Sequence, residues 1–425
     1  MERKIDKFLQ KWKIDVTRKP LIIYGPRQIG KTYSVLEFGN KEYKNVVYFN
    51  TNNNKTIKEL FIKEKSTEKI VLNLSLLSGE TILKEDTLII FDNIKDIEIT
   101  KGLKLFGSEH SKYHIIGILA KKEKLSEIIG EELQFKNMNE MDFEEYLWAH
   151  NEKSLSELIK ESFTKRKTCP FHKTALELFQ NYIVTGGLPE VIDAELAGKS
   201  EYVLDSIKQK LLDIYLKEIT GAKNLIDIPR GIEVIESLPD QLQKENKKFQ
   251  YGIIGPGKRA KEYDSSINFL VNSQLVYRSY KVKDIKSPLS SQKDNESFKL
   301  YSIDDGILYT MYHLNYKQFI SNENIKEILY ENHIAKTLSS NGFSLYYYQS
   351  DGKAEVNFVV QNRKGQIIPI ELTTKTNSKA KSLSVFMKKF IVPEGYRITE
   401  NNFQTKKSIR YIPIYATFCF DNLSI

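Results

Sequence analysis

The chain should fold as α/β, with a parallel sheet in its N-terminal part and helical and further α/β modules after it. Three observations point there. Residues 21–38 read as buried strand, glycine loop and helix. Residues 87–93 are a continuous apolar run that ends in an acid. Around them strands and amphipathic helices alternate, the pattern of a doubly wound parallel sheet with its ligand at the strands' carboxyl ends.

A chain of 425 residues has room for roughly two to four domains. Its 40% hydrophobic content supports real cores and excludes global disorder. The 24 Tyr and 22 Phe suit substantial β structure. A net charge of +9, from 64 basic and 55 acidic residues, permits a nucleic-acid partner without specifying one. The two cysteines, Cys169 and Cys419, lie far apart and offer neither zinc spacing nor a disulfide framework. Met1 to Asp15 is charged and lacks an apolar core, so no signal peptide is expected. No run reaches the length of a membrane span, so the expected location is cytoplasmic, with no membrane partner.

Taken in order, residues 1–19 read as a short amphipathic helix through Ile5, Phe8, Leu9 and Trp12. Leu21 to Tyr24 is a buried strand, and Lys31 to about Phe38 a helix. Asn45–Asn50 is a second strand, and Thr56–Leu77 carries helical patterning. Thr87–Asn93 and His114–Leu119 are further buried strands. Residues 125–165 turn helical, first at Leu125–Ile129, then at Asp142–Trp148 and Leu155–Phe163. Helices follow at Thr174–Val184, stopped by Gly186-Gly187 and Pro189, and at Glu201–Ile219. Helices at Ile232–Leu242 and Lys261–Val271 precede strands at Leu275–Val282 and Phe298–Ser302, an order that suggests a winged helix. A helix at Ile325–Ser339 leads to three strands, Leu345–Tyr348, Ala354–Val360 and Gln366–Thr374, turned at Asp351-Gly352 and Lys364-Gly365. A helix at Ser382–Phe390 and a strand at Tyr411–Phe418 end the chain.

The loop Gly25-Pro26-Arg27-Gln28-Ile29-Gly30-Lys31-Thr32 has the spacing G-x-x-x-x-G-K-[ST] between strand and helix. Its two glycines let the backbone curl so that N–H groups converge on a phosphate. The helix N-terminus adds partial positive charge. Lys31 would reach the β- and γ-phosphates, and the Thr32 hydroxyl would ligate Mg²⁺. Asp92, at the end of a buried strand, is the expected second Mg²⁺ group. Residues 25–32 together with Tyr33 are the expected nucleotide site, with ATP and Mg²⁺ as cofactors. Arg230 and Arg259 are the candidates for a γ-phosphate sensor or arginine finger.

The loop resembles the GPRQVGKT loop of a large prokaryotic family of AAA-type P-loop ATPases. Later stretches resemble that family in the same order: "FDN" at Phe91, "MDFEEYL" at Met141, "GGLPEV" at Gly186, "KLYSIDDGIL" at Lys299 and "YENHIAKTL" at Tyr330. The resemblance implies a P-loop ATPase core at 1–145, a helical lid or bridge at 146–228, a winged-helix region at 229–310 and a C-terminal domain at 311–425 similar to PD-(D/E)XK nucleases.

This chain departs from that family in two places. The Mg²⁺ strand of the family usually ends Asp-Glu, the Glu orienting the attacking water; here it ends Asp92-Asn93. An amide cannot accept the water's proton, and losing one general base costs about 10²–10⁴ in rate. In the nuclease-like site the resemblance implies Glu331 on the helix and Glu371 on the strand. The family's Asp and Lys positions hold Asn357 and Thr373. Asn357 removes a negative charge that Mg²⁺ would need, and Thr373 supplies no cation. Lys375, two residues on, is a candidate substitute.

The expectation is an ATP- and Mg²⁺-binding ATPase with slow turnover, acting as a nucleotide-dependent switch, whose degenerate nuclease-like domain binds a protein partner. An ATP-gated metal-dependent nuclease and an ATP-dependent DNA-binding protein are the alternatives.

Overall fold

The structure, a computed structural model, describes residues 1–107, 112–120, 131–220, 227–350, 355–374 and 382–423. The chain divides into two compact units, Met1–Glu140 with Asn272–Gln274, and Met141–Val271 with Leu275–Ile425.

In the first unit, α1 (Lys4–Ile14) precedes β1 (Leu21–Tyr24), and α2 (Lys31–Glu42) leads to β2 (Asn45–Asn50). The patterned stretch read as Thr56–Leu77 is two helices, α3 (Lys55–Lys63) and α4 (Thr67–Ser78). The break falls at Ser66, whose hydroxyl accepts from the Lys69 N–H and caps α4. β3 (Thr87–Asp92), α5 (Ile97–Leu103), β4 (His114–Leu119) and β5 (Gln134–Asn137) complete the unit. All five strands run parallel in the order β2-β3-β4-β1-β5. β1 therefore lies inside the sheet, and its carboxyl end feeds the glycine loop into the crevice above the strand ends.

β5 corrects the helical reading of 125–165. Its four residues are all half-buried and show no apolar alternation, so nothing in their pattern announces an edge strand. The part of that reading at Leu125–Ile129, and the turn at Asp351-Gly352, lie outside the described residues.

The core beside the site is built on Phe91, the residue before Asp92. Its ring stacks on Phe49 at 5.5 Å and meets Phe61 edge-on at 5.4 Å. Ile22, Val47, Ile89 and Ile115 belong to the same buried cluster. Emptying such a position costs about 3–5 kcal/mol, so the strand end that carries Asp92 is firmly anchored.

Among its described residues the second unit is mostly helical between Phe143 and Val271 and contributes the strands of an eight-stranded mixed sheet after that. The hairpin read as a wing is β6 (Val276–Val282) and β7 (Lys293–Ser302). It is not a free wing. β6 also pairs in parallel with β8 (Leu345–Gln349), from Ser279 opposite Leu345 to Lys281 opposite Tyr347. With β9 (Glu355–Gln361), β10 (Ile367–Thr373), β11 (Gly395–Thr399), β12 (Gln404–Lys406) and β13 (Ile409–Pro413), the order is β12-β13-β11-β10-β9-β8-β6-β7. A boundary at residue 310 thus runs through one sheet. Val356, Phe358, Val360, Ile368, Ile370 and Leu372 are buried, as their alternation implies. The last strand ends at Pro413, and Ile414–Leu423 coils as 3₁₀ helix instead of continuing to Phe418. Residues 414–420 are buried on every side, so they carry no alternation that would separate strand from helix.

No helix among the described residues is long and apolar enough to cross a membrane.

Candidate functional site

The glycine loop is shaped by three left-handed positions. Gly25 has φ +153°, and a Cβ there would meet the Met138 carbonyl oxygen at 2.0 Å, so only glycine fits between β1 and the segment after β5. Gln28 (φ 61°) and Gly30 (φ 88°) turn the chain into α2. α2 has no side-chain cap and no acid in its first turn. Its N-terminal N–H groups and dipole are left to an anion. The Lys31 ammonium is buried and donates to the Gly25 carbonyl at 2.8 Å and to that of Pro26. Tyr33 is exposed on the first turn of α2.

Asp92 stands opposite the loop. Its Oδ2 accepts from the Thr32 hydroxyl at 2.8 Å and from the Tyr48 hydroxyl at 2.8 Å. Its Oδ1 accepts from the Asn93 N–H at 2.7 Å. Thr51 holds the Asp92 carbonyl twice, through N–H at 2.9 Å and hydroxyl at 2.8 Å. Thr32 and Asp92, both expected at a Mg²⁺ site, are thus in direct contact. A carboxylate and a hydroxyl are hard oxygen donors of the kind Mg²⁺ takes alongside phosphate and water. Asn93 has φ 57°, a conformation Asn tolerates better than most residues. Its amide lies 3.5 Å from that of Asn50.

Sequence reasoning missed three contributors. Arg3 is buried and spans two segments: Nη1 donates to Ile29 O at 2.9 Å and Nη2 to Asn139 O at 2.8 Å. It braces the glycine loop against the chain after β5. The one local sign was Asp6 three residues on, which accepts from the Arg3 N–H at 2.9 Å. Tyr48 and Thr51 carry no motif; only their place at the end of β2, beside β3, could have suggested them. Burial, and then Asp92, push the Tyr48 phenol up to about 12, so it remains a donor at neutral pH.

Arg230 and Arg259 belong to the second unit. Arg230 lies 3.8 Å from Glu262 and over the Tyr263 ring at 5.9 Å, and Arg259 is exposed.

Of the residues expected to form a degenerate nuclease site, Glu331 and Asn357 fall into one ion cluster and Glu371 into another. Glu331, on the helix Glu323–Ser340, is buried. It accepts from Lys247 at 2.6 Å, Lys299 at 3.2 Å, Tyr301 at 2.6 Å and the Asn357 amide at 3.1 Å. Lys299 also pairs with Glu355. Burial opposes the Glu331 charge, but Lys247 and Lys299 outweigh it and hold the carboxyl well below the usual range. Asn357 in turn accepts from the Leu372 N–H at 2.9 Å. Glu371 faces away to Arg397, at 2.7 Å, and accepts from the Leu383 N–H at 3.2 Å. Burial raises its pKa despite Arg397. Thr373, half-buried, ends β10; Lys375 lies outside the described residues. Among the described residues no group of three or more His, Cys, Asp or Glu is arranged to hold a metal.

The stretches that begin at Gly186, Lys299 and Tyr330 meet in the interior of this unit. Asp305 accepts from Asn332 at 2.8 Å and pairs with His333 at 2.9 Å and Lys336 at 2.7 Å. Asp304 accepts from the Gly187 N–H at 2.7 Å. These residues hold the fold.

Residues 17–147 match the AAA domain family. Residues 176–318 and 326–417 each match a domain of unknown function. No curated protein matches the chain. Among solved structures, a Walker-type ATPase of Pyrococcus abyssi is similar at 11% identity and TM-score 0.43, over 73% of this chain and 95% of that one. A Signal Transduction ATPase with Numerous Domains protein with a tetratricopeptide repeat sensor, from Pyrococcus horikoshii, is similar at 14% and 0.30, over 80% and 45%. The ORC1 protein of Aeropyrum pernix, solved with DNA, is similar at 11% and 0.29, over 75% and 92%. At these identities and scores nothing of those proteins' activities transfers. The parallel sheet and its loop, with the family match, define an α/β P-loop fold. Within it, the stretch 17–147 is an AAA-type domain.

Proposed function

We propose that the chain binds ATP and Mg²⁺ at the Gly25–Thr32 loop, turns ATP over slowly, and works as a nucleotide-dependent switch whose second unit binds a protein partner. The observation that carries this is the contrast between Asp92, held by Thr32, Tyr48 and the Asn93 N–H, and its neighbour Asn93, which brings an amide where a general base is needed. The loop N–H groups and Lys31 would bind phosphate oxygens. Thr32 and Asp92 would hold Mg²⁺, which when bound neutralises charge on the β- and γ-phosphates. Asn93 would orient water without taking its proton.

Partner binding rather than cleavage is supported by the state of Glu331, which is already neutralised by two ammonium groups and bonded to an amide. DNA cleavage in Mg²⁺ or Mn²⁺ is expected to be absent, and cleavage lost in Glu371→Ala would overturn this part.

The test of the ATPase reading is steady-state turnover. Asn93→Glu should raise it by up to about 10²-fold. Lys31→Ala should abolish the ATP-induced melting shift, roughly 5–10 °C at saturating ligand. Turnover of tens per second in the parent, or no gain in a folded Asn93→Glu variant, would refute the slow-base account.

A further inference from the structure

We infer that Tyr48 is a positioning residue for Mg²⁺ binding, acting through Asp92; this rests on the ATPase reading above. The geometry is specific. β2 and β3 are in register, with Tyr48 opposite Ile90 and Asn50 opposite Asp92. Tyr48 lies two residues back from the level of Asp92, a rise of about 6.6 Å along a parallel strand. Positions two apart share a sheet face, and a phenol is long enough to cover that distance. A shorter side chain at 48 would not reach the carboxylate. The ring is 39% exposed at the rim, while the Asp92 it serves is 3% exposed. The hydroxyl is thus drawn inward to a buried acceptor.

The bond completes the restraint of Asp92. An ionised carboxylate offers about four lone-pair positions. Thr32 and Tyr48 take both on Oδ2, and the Asn93 N–H takes one on Oδ1. Among the described residues that leaves one position on Oδ1, with the carboxylate plane fixed from both ends. Thr51 fixes the same residue's carbonyl. Carboxylates that serve metals are held by such outer hydrogen bonds, and removing one costs about 10–100-fold in metal affinity.

The test compares ATP affinity, by calorimetry, in Mg²⁺ and in EDTA, for the parent and for Tyr48→Phe. The variant keeps the ring and loses only the donor. Its affinity in EDTA should equal the parent's, while the strengthening produced by Mg²⁺ should fall by about tenfold. In an Asp92→Asn background, Tyr48→Phe should have no further effect on the Mg²⁺ response. Full Mg²⁺ strengthening in Tyr48→Phe, or an equal loss with and without Mg²⁺, would overturn the role of Tyr48 and leave the ATPase reading standing. No ATP binding by the parent under either condition would overturn that reading, and this inference with it.

Discussion

Asn357→Asp puts back the carboxylate that a nuclease-like site would carry, and the surroundings of Glu331 predict that it destabilises the second unit. The Asn357 amide donates to Glu331 at 3.1 Å. Two carboxylates at that separation repel by about 5 kcal/mol at an effective dielectric of 20. The lost hydrogen bond to a charged acceptor adds about 1.5–3 kcal/mol. Lys247 and Lys299, at 2.6 and 3.2 Å from Glu331, return part of this. A net cost of about 2–4 kcal/mol remains, or roughly 5–15 °C in melting temperature. The pH dependence has a definite sign. Repulsion raises the pKa of the introduced carboxyl above its unfolded value. Below the unfolded value it is protonated in both states and donates to Glu331 as the amide did, so the penalty nearly vanishes. As pH rises through the folded pKa the penalty appears in full. Melting curves of parent and variant should therefore diverge at pH 8 and converge toward about pH 4. Superimposable curves at pH 8 would refute the reasoning. So would recovery of the variant by millimolar Mg²⁺ or Mn²⁺, because it would mean that the lysines do not fill the place of a metal.

Arg3→Ala should cost about 3–5 kcal/mol in urea unfolding of the first unit, since two charged hydrogen bonds at 2.9 and 2.8 Å are lost from a buried guanidinium. It should also weaken ATP binding because Ile29 loses its brace, and Arg3→Lys should fall between; unchanged stability in both would disprove the clamp. His114, buried with its Nδ1 2.7 Å from the Tyr43 hydroxyl, is pushed down to about 4 by burial, then by Arg18 and Lys13. The unfolded chain takes up that proton first, near pH 6.5, so stability should fall as pH drops from 6.5 to 4, at up to about 1.4 kcal/mol per unit. His114→Gln should flatten this part of the stability–pH curve, and an unchanged slope would show that His114 does not titrate as described.

The glycine loop and Asp92 were legible because their chemistry is contiguous. Spacing within eight residues names a phosphate loop, and a strand that stops at an acid marks its own end. Arg3 was not, because the two carbonyls that define it lie 26 and 136 residues away. The identity of Glu331 was readable, but its state was not. Lys247 and Lys299 reach it from 84 and 32 residues off, and their arrival turns an expected metal ligand into half of an ion cluster. The paired strands of the hairpin were visible, while the parallel contact of β6 with β8 was not. Local periodicity reports which face is apolar; it does not report which neighbour lies at the strand's edge.

That parallel contact bears on how the chain can be cut. A fragment beginning at residue 311 would contain β8 to β13 but not the hairpin. The strand edge that β6 covers belongs to Leu345-Tyr346-Tyr347-Tyr348, four buried residues. Bared, it would be a flat aromatic edge of the sort that pairs with copies of itself. Among the described strands the edge on that side is β7, whose first half carries Lys293, Asp294 and Glu296 and whose pairing with β6 slips at Tyr280/Lys281. Charge and irregularity blunt that edge. The hairpin also precedes β8 in order of synthesis, so a growing chain presents a finished template before its stickiest strand emerges. The hairpin therefore shields the sheet from self-association, and a cut after it would yield aggregate.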